Sequence, residues 1–413
     1  METPDPAVFG PLAAIAPESV VLLASNIAKR CLDLPDANGT LVARICGSYN
    51  MVHVIEFQNT KLVIRVPVTG WGPGLTQTAA DAMESQAATL RLIRSKTTIP
   101  VPEIYALDTS VDNEIGAPYL CMSYLPGKTV SKVWFGYEGA LPRDEFRLRI
   151  LTSLSQAMAQ LSCFSFDRMG SIIGGGSDST VIGPAYGWES MEDGSLQVQV
   201  TASGPYDSTS AFLHENTIRV PRRKEDVWHD AETKVLEVML DCLPAPDSPP
   251  SFVLEHPDFA SQNVLVDEEG TVTGLIDWDN AQTVPRFVGY ASYPSWITRD
   301  WDPLMYGWPM MPESEDSPET LERYRAHYHT ELGKALKWQG DWKYTGKGHI
   351  FEAIWIAALN SMCRLRICQK FVQVVVGDDT DALDIFYDMG TGYYEDEDWV
   401  ALKVKLRRFI CED

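Results

Sequence analysis

Residues 253–279, VLEHPDFASQNVLVDEEGTVTGLIDWD, constrain the fold of this chain more than any other stretch. Two short apolar runs, 264–266 and 272–276, flank an acidic, glycine-containing turn at 267–270. Runs of this length around Asp, Glu and Gly predict a β-hairpin. A hairpin brings the chain back to where it started. The polar loop that enters it and the carboxylate that leaves it therefore share one end. Asp258, Asn263 and Asp277 are predicted to converge there.

Two carboxylates and an amide gathered in this way suit phosphoryl transfer. Asp258 would accept the proton of an attacking hydroxyl. The amide oxygen of Asn263 and the carboxylate of Asp277 would hold Mg²⁺ on the nucleotide phosphates. A His-x-Asp pair such as His256 and Asp258 is common by chance. The specific signal is the whole pattern: H-x-D-x-x-x-x-N, a hairpin, then an apolar residue and Asp. His256 reads as a brace for the loop, not as a catalyst. A zinc hydrolase built on His256 and Asp258 is disfavoured, because no further His lies nearby in the sequence.

With this pattern, and with GLIDWDN, TVPR and PSWITRDWDP around and after it, the sequence resembles the aminoglycoside phosphotransferase and choline kinase-like enzymes, and in particular their large fungal branch. The resemblance implies an α+β, two-lobed, protein-kinase-like fold. The small antiparallel-sheet N-lobe, with an N-terminal helix, would take residues 1–125. The larger, mainly helical C-lobe would take 126–413 and carry the catalytic loop, the metal site and the acceptor pocket. Residues 164–250 would be a family-specific elaboration near the acceptor side. ATP and Mg²⁺ are the implied cosubstrate and metal, and a small-molecule hydroxyl is the implied acceptor.

The upstream sequence has the order that such a fold requires. Residues 17–32 show helical spacing, with Ser19 as an N-cap. LVARICG, MVHVIEF and KLVIRVP, between 41 and 67, predict a three-strand meander and disfavour a Rossmann unit. By resemblance the turn GSYN, with Gly47 and Ser48, covers the nucleotide phosphates, and Arg65 on the third strand reaches them. Arg in place of the usual Lys keeps a fixed charge and a fork of donors. Residues 78–95 form a helix with Thr78 as N-cap and Asp81 in the capping-box position. The resemblance asks this helix for a Glu beside the basic residue. Gln86 stands in that place and Glu84 lies two residues earlier, about 200° away around a helix. Either Gln86 bonds Arg65 as a neutral partner, or the helix is turned and Glu84 pairs with it. Residues 99–108 read as an extended, Pro-flanked connection. The apolar strand at 117–125 leads into the hinge, with Met122 at the back of the adenine pocket and the backbone of Ser123, Tyr124 and Leu125 facing the base.

Downstream, 142–163, 316–337 and 347–376 read as helices and 378–398 as a solvated acidic surface. The aromatic run from Trp278 to Trp301 reads as core. The family's antibiotic-modifying members read H-G-D with Pro and Gly before the Asn. This chain has Pro257, Ser261 and Gln262 at those places, which leaves the base and metal residues intact and alters the acceptor side. The net charge of −23 disfavours nucleic acid and anionic membranes and permits a cationic acceptor. The eight scattered cysteines form no C-x-x-C pair and read as reduced thiols. The N-terminus has no signal-peptide pattern and no run of 18 apolar residues occurs, so a soluble cytoplasmic protein without a membrane span is expected. A second class stays open: a kinase-like protein that binds a nucleotide or metabolite without transferring phosphate, or that is recruited to another reaction in metabolite biosynthesis.

Overall fold

The meander forms because its strands alternate. In β1 (Thr40–Cys46), β2 (Asn50–Glu56) and β3 (Lys61–Pro67) every second side chain turns toward a buried face, the repeat of a half-covered sheet. The three strands pair antiparallel, and Val52 lies opposite Arg65. The computed structural model describes residues 2–34, 38–174, 180–191, 196–217, 226–245 and 249–412. The expected elaboration at 164–250 lies partly outside these residues.

Two further strands complete the N-lobe sheet. The run at 99–108 is more than a connection, since β4 (Ile104–Asp108) pairs with β5 (Tyr119–Ser123) and forms the sheet edge. Pro100 and Pro102, which lack the N–H a ladder needs, keep the first half of that run out of the sheet. The strand order is β1-β2-β3-β5-β4. Helix α1 (Pro17–Cys31) covers one face with Val20, Leu23 and Ile27 against Ile55, Leu62 and Ile64. It starts at Pro17, with Ala16 in the cap position and not Ser19; Pro has no N–H to leave unpaired in a first turn. Helix α2 (Gln77–Lys96) lies on the other face and buries Ala87, Leu90 and Ile93. Its cap is Thr76, whose hydroxyl accepts from Ala79 N at 3.1 Å. Thr78 is already inside the helix, and Asp81 accepts from the Gln77 amide.

The C-lobe opens with β6 (Lys128–Thr129) and the long helix α3 (Arg143–Ala159). Strands β7 (Gly170–Ile173) and β8 (Val181–Gly183) follow, then the hairpin β9 (Ala185–Ser190) and β10 (Val198–Ser203). Helices α4 (Thr209–Asn216) and α5 (His229–Asp241) precede β11 (Phe252–Leu254). The predicted hairpin is β12 (Val264–Val266) and β13 (Val272–Leu275), and β14 (Gln282–Pro285) pairs with β11 and β7. Helix α6 (Pro318–Ala335) packs on α3.

The longer helices that follow are α7 (Gly348–Leu359), α8 (Ser361–Val376), α9 (Ala382–Thr391) and α10 (Asp396–Cys411). The single helix expected at 347–376 is broken at Asn360. This residue is extended, and its side chain accepts from Met362 N at 3.0 Å, which caps a new helix. The aromatic run is core as expected: Trp278, Phe287, Tyr290, Tyr293, Trp296 and Trp301 are all buried. Asp396, Glu397 and Asp398 are exposed and fill the first turn of α10, where negative charge complements the helix dipole.

The β9–β10 hairpin, part of the expected elaboration at 164–250, reaches back to the N-lobe. Tyr186 and Val200 pack on Ala79 and Ala82 of α2. The ring of Trp188 stacks on Tyr49, in the β1–β2 turn, with centroids 4.7 Å apart and planes 12° from parallel.

Candidate active site

The β12–β13 hairpin closes as its sequence dictates. Asp267 Oδ1 accepts from Glu269 N at 3.1 Å and from Thr271 N at 2.7 Å, so the turn is held by its own first side chain. Ile276 N donates to Asn263 O at 3.0 Å, which ties the hairpin's exit to its entry. Asn263 is buried, and its Nδ2 donates to Asp258 Oδ2 at 2.8 Å and to Asp258 O at 2.9 Å. Asp277 follows β13 with φ of +65°, a left-handed turn that re-aims the chain just past the strand.

His256 braces the loop, as expected. Its Nε2 donates to Ile276 O at 2.9 Å, and its Nδ1 accepts from Asp258 N at 3.3 Å, so it is the neutral tautomer protonated on Nε2. Burial pushes its pKa down to about 4. Its ring packs on Trp278 with centroids 4.6 Å apart. Asp258 lies at the mouth of the loop. Partial desolvation raises its pKa, Asn263 counters the rise, and the like charge of Asp277 adds to it.

Arg65 reaches across from β3. Its Nη2 donates to Asp277 Oδ1 at 2.8 Å, while Nη1 and Nη2 grip the two oxygens of Asp279 at 2.9 and 3.0 Å. Burial works against the guanidinium charge, but Asp279 and Asp277 outweigh it and its pKa stands above the ordinary value. Burial and neighbouring Asp277 lift the Asp279 carboxyl, and Arg65 counters them. Asn50 Nδ2 also donates to Asp279, at 2.7 Å, and so does Gln86 Nε2.

Neither expected partnership for Arg65 occurs. Gln86 is buried and bonds Asp279, not Arg65. Glu84 is exposed on another face of α2, in a surface groove with Arg30 and Arg91, well apart from the Arg65 cluster. Asp279 and Asn50 are the site residues that sequence reasoning left without a role. The available signal was the doubled acid of D-W-D.

Between the lobes lies a cavity of about 400 Å³. Met122, Ser123, Leu125, Arg65, Asn263 and Asp277 line it, as does Gln86. Gly47 and Ser48 do not: they stay in the β1–β2 turn, which Gly47 N closes onto Asn50 O at 2.9 Å. The hinge is also more occupied than expected. Ser123 N donates to Glu103 O and Tyr124 N to Lys61 O. Among the described residues, Leu125 is the one of the three whose N–H has no such bond.

Behind the loop, burial pushes the Glu255 carboxyl up to about 8; Gln282 opposes this and Glu352 adds to it. A carboxyl raised in the folded state binds more protons there than when unfolded. Its stability contribution is complete below the unfolded value of 4.5 and is lost as pH rises through about 8. Glu255→Gln should therefore flatten the fall in melting temperature between pH 5 and 9 and make the variant the more stable form at the alkaline end. Parallel wild-type and variant melting curves across that range would refute this.

An antiparallel sheet with one helix over the cleft, a hinge strand, and a mainly helical lobe that contributes a polar loop and hairpin define a protein-kinase-like fold. The chain belongs to the phosphotransferase enzyme family, whose family model matches residues 39–337. Among curated proteins it is similar to a subtelomeric hrmA-associated cluster protein of Aspergillus fumigatus, 24% identical over 315 residues, covering 62% of this chain and 60% of that one. It is also similar to clavilactone A biosynthesis cluster protein Y of Ampulloclitocybe clavipes, 24% identical over 234 residues, covering 52% and 54%. The chain thus spans little more than half of the curated relatives it matches. Among solved structures, a thermostable mutant of aminoglycoside phosphotransferase APH(4)-Ia, in a ternary complex with AMP-PNP and hygromycin B, covers 94% of this chain and 97% of its own at a TM-score of 0.43 and 15% identity. Macrolide 2'-phosphotransferase type I covers 95% and 98% at a TM-score of 0.41 and 14% identity.

Proposed function

We propose that this protein transfers the γ-phosphoryl group of ATP to a hydroxyl of a small molecule. The observation that carries the reading is the meeting of Arg65, Asn263 and Asp277 in one interlobe cavity, with Asp258 hydrogen-bonded to Asn263 beside them. The residues suit Mg²⁺: Asn263 offers an amide oxygen, and Asp277 keeps Oδ2 free because Arg65 uses only Oδ1. The Asp277 side chain is 41% exposed, so a cation can reach it. When bound, Mg²⁺ neutralises charge on the phosphate oxygens.

The chain's own residues do the rest. Arg65 brings fixed positive charge to the phosphate end of the cavity and keeps N–H groups that Asp277 and Asp279 do not use. Met122 and the apolar wall exclude water from the base. Asp258 orients the acceptor hydroxyl and takes its proton at Oδ1, because Oδ2 is held by Asn263 and Gln262. The loose transition state makes orientation the larger part of this role. The excess of acidic residues permits an acceptor that carries positive charge.

The raised pKa of Asp258 has a kinetic consequence. Protonation removes the base, so kcat/KM should fall as pH drops through that raised value, with the acidic limb above the ordinary 3.8. A limb at or below 3.8 would contradict the assignment. The test of the whole reading is ADP release from Mg·ATP against a panel of hydroxyl and amine metabolites. A second reading, nucleotide binding without transfer, is favoured by the engagement of Arg65 with both carboxylates. Tight Mg·ATP binding, with no member of a broad panel raising ADP release, would establish it instead.

A further inference from the structure

We propose that Asp279 is the positioning residue for the phosphate-binding cation, the counter-ion that holds Arg65 in place, and that it is not a metal ligand. The inference deepens the phosphotransferase reading and rests on it. Asp277 and Asp279 are two residues apart in D-W-D, yet their surroundings differ. The Asp279 side chain is 15% exposed and that of Asp277 is 41% exposed. Asp279 accepts from Arg65 Nη1 and Nη2, from Asn50 Nδ2 and from Gln86 Nε2. Two bonds to each oxygen fill the capacity of a carboxylate, so it has no lone pair left for a metal. Asp277 has one bond to one oxygen.

The donors come from three N-lobe elements, β2, β3 and α2, and the acceptor comes from the C-lobe just after the hairpin. The bidentate contact fixes the plane of the guanidinium, which a single contact would leave free to swing. The helix adds no charge of its own, because its buried residue facing the cluster is an amide. Gln86 acts through Asp279 by holding the carboxylate, and the carboxylate holds Arg65.

Loss of the Asp279 charge would leave Arg65 buried beside Asp277 alone. The guanidinium would then settle on the carboxylate assigned to Mg²⁺, and the two cations would compete for one group.

The test measures ADP affinity by calorimetry, with Mg²⁺ and with EDTA, together with melting temperature, in the full chain. Asp279→Asn should weaken ADP about tenfold or more both with and without Mg²⁺, and lower the melting temperature by about 3 °C or more. Gln86→Leu should cost no more than about threefold in affinity. The double variant Arg65→Ala with Asp279→Asn should bind ADP no more weakly than Arg65→Ala alone, because Asp279 acts through Arg65, whereas a merely structural role for Asp279 would add a further loss. The proposal is overturned if Gln86→Leu costs as much as Asp279→Asn, if Asp279→Asn adds its full loss to that of Arg65→Ala, or if Asp279→Asn changes ADP affinity only when Mg²⁺ is present, the mark of a metal ligand. A wild-type protein that binds no nucleotide would overturn the phosphotransferase reading, while the order of melting temperatures would still decide whether Asp279 anchors Arg65.

Discussion

Asp258→Asn is expected to lower acceptor-dependent ADP release by about a thousandfold, within the range of a lost general base, while Mg·ADP affinity stays within about twofold of wild type. The substitution keeps size and shape, so the loop should hold. Asn263 N–H can still donate to the new amide oxygen, and His256 keeps its bonds to Ile276 O and Asp258 N, because neither involves the Asp258 side chain. What disappears is the acceptor at Oδ1 and the negative charge that orients a hydroxyl. Single-turnover measurement of ADP formation separates this loss from a change in product release. Residual transfer within tenfold of wild type would exclude Asp258 as the base.

Asp277→Asn should act on a different step. Here the expected result is that ADP binds no tighter with Mg²⁺ than with EDTA, and that turnover falls by on the order of a hundredfold to a thousandfold, as when a group that stabilises transition-state charge is removed. Binding in EDTA should change little, because the bidentate contact to Asp279 still holds Arg65. The contrast with Asp279→Asn is therefore qualitative: one variant loses the magnesium response, and the other loses affinity under both conditions. Titrations of both proteins in the same two buffers decide it. A retained magnesium response in Asp277→Asn would remove Asp277 from the metal site.

Local features of this architecture were legible in the sequence, and distant pairings were not. The β12–β13 hairpin follows from DEEG between two apolar runs, and the side chain of Asp267 does within five residues what its position suggests. The meander and α2 follow from periodicities of two and 3.6. Periodicity shows that Gln86 is on an inward face, but it does not show which residue waits there. That residue is Asp279, 193 positions away. The same holds for Asn50, whose partner is 229 positions away. Helix ends shifted for a related reason. The backbone turns helical just after Thr76, and so Thr76, not Thr78, is the capping residue. The β9–β10 hairpin combines short strands with Gly187 and polar residues, so its own sequence gives no hint that its covering partner is a helix of the other lobe.

That hairpin has a mechanical consequence. The chain crosses between the lobes near residues 123–129, and the Tyr49–Trp188 stack, with Tyr186 and Val200 on α2, joins them again at a second place. One joint allows swivel in every direction; two define an axis. Rotation about the line through both joints would open the cavity at the cost of the Arg65, Asn50 and Gln86 bonds to Asp279, whereas sliding one lobe past the other would also tear an aromatic contact worth about 1 kcal/mol beyond its buried area. A door hung on two hinges swings and does not slide.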